Sequence, residues 1–367
     1  MKHGIISRKT DVMFPYHGWP TVARDEHGNL YAVCSAHRIS HICPFGKNYM
    51  FKSEDGGESW SNPTVINDTM LDDRDAGILN LGGGKMLMTY FNHPREFYIR
   101  NAEEFLNHGR EDAVDLQRML YMGAIEYLKG MPAEYNNFGS FIRLSEDYGK
   151  SFGEAIKVPV SSPHGPTRLR DGRLLYFGKE RGSGVSERGG HILAYDSTDG
   201  GISWNFLYDI EFPEGCGPTN MHEPYAIELS DGTILGAIRA QSEPVEPNFT
   251  IYLTRSYDGG RTWTAPEATG FCGSPPHLLE LSSGDVLLSY GRRKRPYGEC
   301  VRISRDGGKS FGEEMMLYGA PTTDLGYPSS VELDDGSIVT VYYQFYGEDT
   351  HCSLLYTKWN IDEYENR

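Results

Sequence analysis

The amino-acid sequence predicts an all-β fold, a six-bladed β-propeller with Asp-containing turn repeats and a helical insertion in blade two. Three observations carry this: an Asp-containing turn that recurs five times, an apolar-turn-apolar signature that recurs six times, and one long stretch where both rhythms stop. Self-similarity of this kind marks repeat architectures, and short strands between regular turn signals mark propeller blades.

The first series is S-x-D-x-G-x-[ST]-[WF], at SEDGGESW (53–60), SEDYGKSF (145–152), STDGGISW (197–204), SYDGGRTW (256–263) and SRDGGKSF (304–311). In each copy the carboxylate of Asp55, Asp147, Asp199, Asp258 or Asp306 can accept the amides of its own turn. The glycines supply left-handed backbone, and the closing aromatic can pack between sheets. The second series is a hairpin whose turn glycines are Gly28, Gly84, Gly172, Gly232, Gly284 and Gly336. The first five copies are each followed by an Asp-containing turn, and the sixth by CSLLYTKWNI. Two hairpins per unit give a four-stranded blade, so the whole chain, 1–367, is expected to form one propeller domain. The last blade is expected to borrow a strand from the N-terminal segment, which hides the sheet edges.

Between Gly84 and Asp147 the spacing lengthens. Phe105, Leu106, Val114, Leu116, Met119, Leu120, Ile125 and Leu128 recur there at helical spacing amid charges, which predicts amphipathic helices over about 101–133. A decorative cap, a lid over the channel and a contact making a homo-oligomer all fit that pattern.

The formal charge is −16, from 35 basic and 51 acidic residues. A field of that sign repels nucleic acid and anionic membranes, and no Lys/Arg block offsets it. The first residues contain no apolar signal region, and no run approaches the ~18 apolar residues of a membrane span, so a cytoplasmic location is expected. The six cysteines lack CxxC spacing and read as reduced thiols. The histidines come from different blades without ligand spacing, and Gly82–Lys85 is a strand turn rather than a phosphate loop. No metal or cofactor is expected.

Inner strands of a propeller begin at one mouth of the channel, and the strands that follow them end there. The starts carry His17 and Trp19, Asp73, Arg74 and Asp75, His164, His222 and Glu223, His277, and Tyr327. The ends carry Arg38, Asn92 and His93, Lys179 and Arg181, Arg239, Arg292 and Arg293, and Gln344. A ring of ionisable groups on one axis is a candidate site.

With its five Asp-containing turns, MHEPYAIELSDGTILGAIRAQ and GYPSSVELDDGSIVTVYYQ, the chain resembles the sialidase (neuraminidase) superfamily of BNR/Asp-box repeat proteins. That resemblance implies an exo-acting glycoside hydrolase cleaving a terminal acidic sugar. It implies Tyr327 as nucleophile, Glu223 as its partner, and Arg239 with Arg292 or Arg293 as carboxylate-binding arginines, of which Arg292 is taken here. The sequence departs from the family in three places. His17-Gly18-Trp19-Pro20 stands where the family has its first arginine, the loop at 35–49 has no carboxylate, and Gln344 replaces a glutamate.

A neutral phenol suits a substrate with a carboxylate at the reacting carbon, and Glu223 can take its proton. Asp75 is the acid expected from the residues themselves, with Asp73 behind it; pairing of either with Arg74 is the structural alternative. His41 competes as acid because imidazole titrates near neutrality. Arg38 is expected to supply the missing guanidinium, so that Arg38, Arg239 and Arg292 meet beside Tyr327. Arg74, His17, Trp19, His41, His164 and His222 are expected to line the remainder. If Arg38 pairs with a carboxylate of its own, a neutral or differently substituted sugar fits better. A polysaccharide lyase and a non-catalytic sugar-binding propeller are the alternatives on the same scaffold.

Overall fold

The computed structural model describes residues 1–10, 13–101, 115–181 and 189–366. The first strand is β1 (Lys2–Ser7). Blade one follows as β2 (Tyr16–Arg24), β3 (Leu30–Arg38), β4 (Lys47–Ser53) and β5 (Thr64–Asn67). Blade two is β6 (Arg74–Gly82), β7 (Lys85–Asn92), β8 (Gly139–Ser145) and β9 (Ile156–Val158). Blade three is β10 (Thr167–Arg168), β11 (Leu174–Lys179), β12 (Ile192–Ser197) and β13 (Asn205–Asp209). Blade four is β14 (Met221–Glu228), β15 (Ile234–Ala240), β16 (Thr250–Ser256) and β17 (Glu267–Ala268). Blade five is β18 (Pro276–Glu280), β19 (Val286–Arg292), β20 (Gly298–Ser304) and β21 (Met315–Gly319). Blade six is β22 (Leu325–Glu332), β23 (Ile338–Phe345) and β24 (Cys352–Trp359), and its fourth strand is β1, antiparallel to β24. The chain therefore closes its own ring, and the last blade's open edge is covered by its first strand.

The Asp-containing turns are built alike. In the third copy, Asp199 accepts from Ser197 Oγ (2.8 Å), Ser203 N (2.9 Å) and Ser203 Oγ (2.5 Å). The same three bonds recur at Asp55, Asp147, Asp258 and Asp306. Gly201 has φ +101°, and a Cβ there would stand 2.9 Å from Leu87 of the preceding blade, so both conformation and space demand glycine. The closing aromatics wedge between blades: Trp263 of blade four stacks on Phe177 of blade three at 4.6 Å.

A second device joins the blades at the mouth opposite the candidate site. The residue four places before each turn glycine reaches the preceding blade's turn or inner-strand end. Arg24 bonds Glu332 O and pairs with Asp334; Asn80 bonds Arg24 O and Glu26; Arg168 bonds Leu81 O. Glu228, Glu280 and Glu332 accept from the backbone N–H of Arg170, Ser230 and Ser282. The six contacts run around the whole ring. The apolar core likewise sits between blades, as where Leu30, Ala32 and Phe51 of blade one pack on Val339, Val341 and Leu354 of blade six.

The insertion carries α1 (Arg95–Arg100) and α2 (Asp115–Gly130). The expected apolar positions Phe105, Leu106 and Val114 lie outside the described residues. Of the others, Leu116 and Met119 are exposed, while Ile125 and Leu128 are buried as expected and are joined by Tyr121, packed with Tyr98, Leu71 and Met131. That buried face rests on two loops: Tyr121 Oη bonds Ile42 O after β3, and Tyr98 Oη donates to Asp72 before β6 at 2.9 Å. The insertion thus buttresses the walls of the candidate site. A short C-terminal helix, α3 (Ile361–Glu365), ends the described chain. All six cysteines are free thiols, and no helix among the described residues is long and apolar enough to cross a membrane.

Candidate active site

Four inner strands contain one non-glycine residue each in left-handed backbone: Trp19 (φ 53°), Asp75 (φ 50°), Glu223 (φ 45°) and Tyr327 (φ 54°). At each the register with the next strand slips, as in a β-bulge. Such backbone is costly for a residue with a side chain, of order 1–3 kcal/mol, and is retained where it aims a group. Each stands nine residues before its blade's turn glycine; blades three and five have Pro163 and Pro275 there. All four bulged side chains face one cavity of about 440 Å³ at the channel mouth, shared with His41, Arg74, Phe91, His93, Arg181, Arg239, Phe249, Arg293 and Thr323.

Tyr327 Oη donates to Glu223 Oε1 at 2.6 Å, while Arg239 Nη1 lies 2.5 Å from Glu223 Oε2 and 3.3 Å from Tyr327 Oη. Gln241 holds the other side of the guanidinium, from Nε at 2.9 Å and Nη2 at 2.5 Å. Burial alone would push Glu223 up, but the charge of Arg239 and hydrogen bonds from Tyr327 and Arg239 bring it down to about 2. Burial and the neighbouring Glu223 charge hold Tyr327 well above the usual phenol range. The resting pair is a neutral phenol on a carboxylate.

Asp75 is opposite in character. It is 4% exposed, Oδ1 has no hydrogen-bond partner, and Arg181 Nη2 is 3.9 Å from Oδ2. Burial outweighs the nearby arginines and raises it to about 6. At the blade-one rim His41 Nδ1 meets Asp324 Oδ1 and Tyr16 Oη, each at 3.1 Å.

Several expectations are corrected. Arg38 does not enter the pocket: it is fully buried, and its guanidinium grips Asp72 through both terminal nitrogens. Arg292 turns to Glu314, which also takes the Tyr290 hydroxyl at 2.7 Å; Arg293, one residue on, faces the pocket. His17 is buried between Ser7 Oγ and Pro15 O. His164 sits deeper in the channel, bonding Thr21 at 3.1 Å and packing on His277 and Tyr225. His222 is bonded to Lys179 Nζ (2.9 Å) and Thr219 O (2.9 Å), bracing the strand entry before Glu223. Asp73 is internal, bonded to Thr69 and Asn92, and Gln344 donates to Gly319 O. Trp19, His41, Arg74, Asp75, Glu223, Arg239 and Tyr327 do line one pocket. Phe91, Phe249 and Thr323 were not anticipated; Phe249 follows no repeat rhythm, so nothing in the sequence marks it. Among the described residues no three His, Cys, Asp or Glu side chains gather as a metal site.

The architecture is that of a six-bladed propeller with a polar axial pocket. Residues 120–340 match the BNR repeat-like domain, and the chain belongs to that family, within the sialidase/BNR-repeat superfamily. A sialidase of Micromonospora viridifaciens is 32% identical over 196 residues, 46% of this chain and 30% of that protein. Xyloglucanase Xgh74A of Acetivibrio thermocellus is 27% identical over 163 residues, 41% of this chain and 16% of that protein. The matched regions thus span less than a third of these relatives' length. Among solved structures, a protein of unknown function from Dyadobacter fermentans superposes with a TM-score of 0.73 at 22% identity, covering 97% of each chain. The NanB sialidase of Streptococcus pneumoniae gives 0.68 at 15% identity, over 98% of this chain and 71% of that one. The likeness to both structures is one of fold.

Proposed function

We propose that the protein is an exo-acting glycoside hydrolase of sialidase-like type that removes a terminal acidic sugar. The observation that carries this reading is the 2.6 Å hydrogen bond from Tyr327 to Glu223, with Arg239 beside both. In this reading Tyr327 Oη attacks the anomeric carbon as Glu223 takes its proton. Asp75 protonates the departing glycosidic oxygen, and the C–O bond breaks. Water then attacks the glycosyl-tyrosine and gives its proton to Asp75, and Glu223 returns its proton to the phenolate. A protonated acid near neutrality is what this step needs, and the raised Asp75 supplies it. Arg239 and Arg293 bind the substrate carboxylate. That anion draws on the Arg239 charge that now depresses Glu223, so substrate binding makes Glu223 a better base.

The test is release of phenol from aryl glycosides of ulosonic and uronic acids, with aryl glucoside as control. Activity on an acidic glycoside that vanishes in Tyr327→Phe is expected, and uniform inactivity overturns the reading. A catalytically silent anion-binding propeller is the second reading, favoured by the low basicity of Glu223 at rest; it predicts sugar-acid binding without turnover.

A further inference from the structure

The guanidiniums of the pocket fall into two pairs, each beside one phenyl ring, with Arg74 closer still to the Trp19 indole at 4.3 Å. Arg239 and Arg293 lie over Phe249, at 5.3 and 5.7 Å from its centroid. Arg181 and Arg74 lie over Phe91, at 3.8 and 6.0 Å. A ring face attracts a cation and holds it in place without neutralising it.

Arg239 is ion-paired with Glu223, yet the pocket still holds more guanidinium than carboxylate: four arginines line it against Asp75 and Glu223. Arg293 donates to three backbone carbonyls, of Ser274, Thr323 and Leu325, and among the described residues it makes no ion pair. Arg181 is fixed by Ser161 Oγ at 2.7 Å, and among the described residues its ion-pair partner, Asp75, is beyond hydrogen-bond reach at 3.9 Å. Arg74 reaches His41 O at 3.4 Å and stands 3.6 Å from Asp72, a carboxylate already gripped by Arg38 and Tyr98. Asp324, at the rim, is engaged by Tyr16 and His41. One sugar carboxylate occupies one such pair. A second, tethered pair facing the same pocket has no use for it, and its carboxylate neighbours Asp72 and Asp75 stand only at 3.6 and 3.9 Å.

Resting on the proposed hydrolase reading, we infer that the pocket takes a doubly anionic sugar. The first anion is held by Arg239 and Arg293, and a second substituent, a sulfate ester, a phosphate ester or a further carboxylate, by Arg74 and Arg181.

The experiment is calorimetric titration of the full chain with matched sugar acids: glucuronic acid and N-acetylneuraminic acid, each against its O-sulfate and its O-phosphate. The doubly charged member is expected to bind roughly ten- to hundredfold tighter, the worth of added charge-assisted hydrogen bonds. Preference for sulfate, for phosphate or for both identifies the substituent. In Arg181→Gln the ratio of doubly to singly charged affinity should collapse towards one. Arg74→Gln is the second variant should the first unfold, with the melting temperature checking both. Equal affinity for singly and doubly charged sugars, or an unchanged ratio in both folded variants, overturns the inference and leaves the hydrolase reading standing. Absence of binding by every sugar acid overturns both.

Discussion

Arg38 shows how a buried guanidinium can be tested for structure against substrate binding. Arg38 and Asp72 are both fully buried and doubly bonded, and the guanidinium also donates to His41 O at 3.1 Å and stacks over Trp19 at 4.9 Å. Arg38→Met keeps the stem and removes the charge. Asp72 would then retain the Tyr98 hydroxyl at 2.9 Å and the more distant Arg74 at 3.6 Å. Breaking one side of a buried pair costs about 3–5 kcal/mol. Unfolding entropy for 367 residues amounts to about 0.8 kcal/mol/K, so the melting temperature should fall by about 4–6 °C. Arg38→Met with Asp72→Asn removes both charges and should recover a large part of the loss. Differential scanning calorimetry reads both variants, and sugar-acid titration reads the pocket. An unmoved melting temperature with sugar-acid affinity lost would refute the assignment and return Arg38 to the substrate.

Three shorter tests follow from the same contacts. Asp75 is raised to about 6 by burial, so the folded chain holds its proton more tightly than the unfolded chain does, and stability declines as pH rises from about 4 through 6. Asp75→Asn should therefore melt higher than the parent at pH 7 and level with it near pH 4, while turnover drops by about 10²–10⁴ and loses its decline above pH 6. Asp199 is held down to about 2 by the Ser203 hydrogen bonds, so its stabilisation is present above its unfolded value near 4 and lost as pH falls towards 2. Asp199→Ala should cost about 1–2 kcal/mol in urea unfolding at pH 7, with the deficit shrinking in acid. Glu280→Ala, which frees Ser230 N and Arg170, should cost about 1 kcal/mol and leave Tyr327→Phe-sensitive activity intact.

The blades were legible because turns are local. A carboxylate two residues after a serine and four before another hydroxyl closes the same three hydrogen bonds wherever it stands, so the five repeats locate their hairpins without tertiary context. The strand starts carrying Trp19, Asp75, Glu223 and Tyr327 were named, but the bulges themselves were not legible, since the same offset also falls on Pro163 and Pro275. The insertion was read less well. Its helical period was plain, but which stripe is buried depends on the loop at Ile39 and Ile42, which comes from another blade. Phe249 and Asp324 were out of reach for the same reason.

The arginine error has a physical cause that the sequence did contain. Side chains alternate along a strand, so counting from each blade's turn glycine sorts the strand ends by face. Phe91 and Arg239 stand seven residues on, and His93, Arg181 and Arg293 stand nine on; all five line the pocket. Asn92, Arg292 and Gln344 stand eight on and Arg38 ten on, and each bonds within the protein instead. Lys179, also seven on, instead bonds Pro218 O and Met221 O, so the offset sorts most of these strand ends but not all. Charge type alone made Arg38 and Arg292 attractive, whereas parity assigns them to structural carboxylates, Asp72 and Glu314. The guanidiniums that line the pocket are then Arg239 and Arg293 on one side and Arg181 with Arg74 on the other. Trp19 stands where the family's first arginine is missing, with Arg74 stacked on its indole at 4.3 Å. A guanidinium is therefore still supplied beside blade one's strand start, from blade two and behind an aromatic ring, which moves the positive charge towards Asp75.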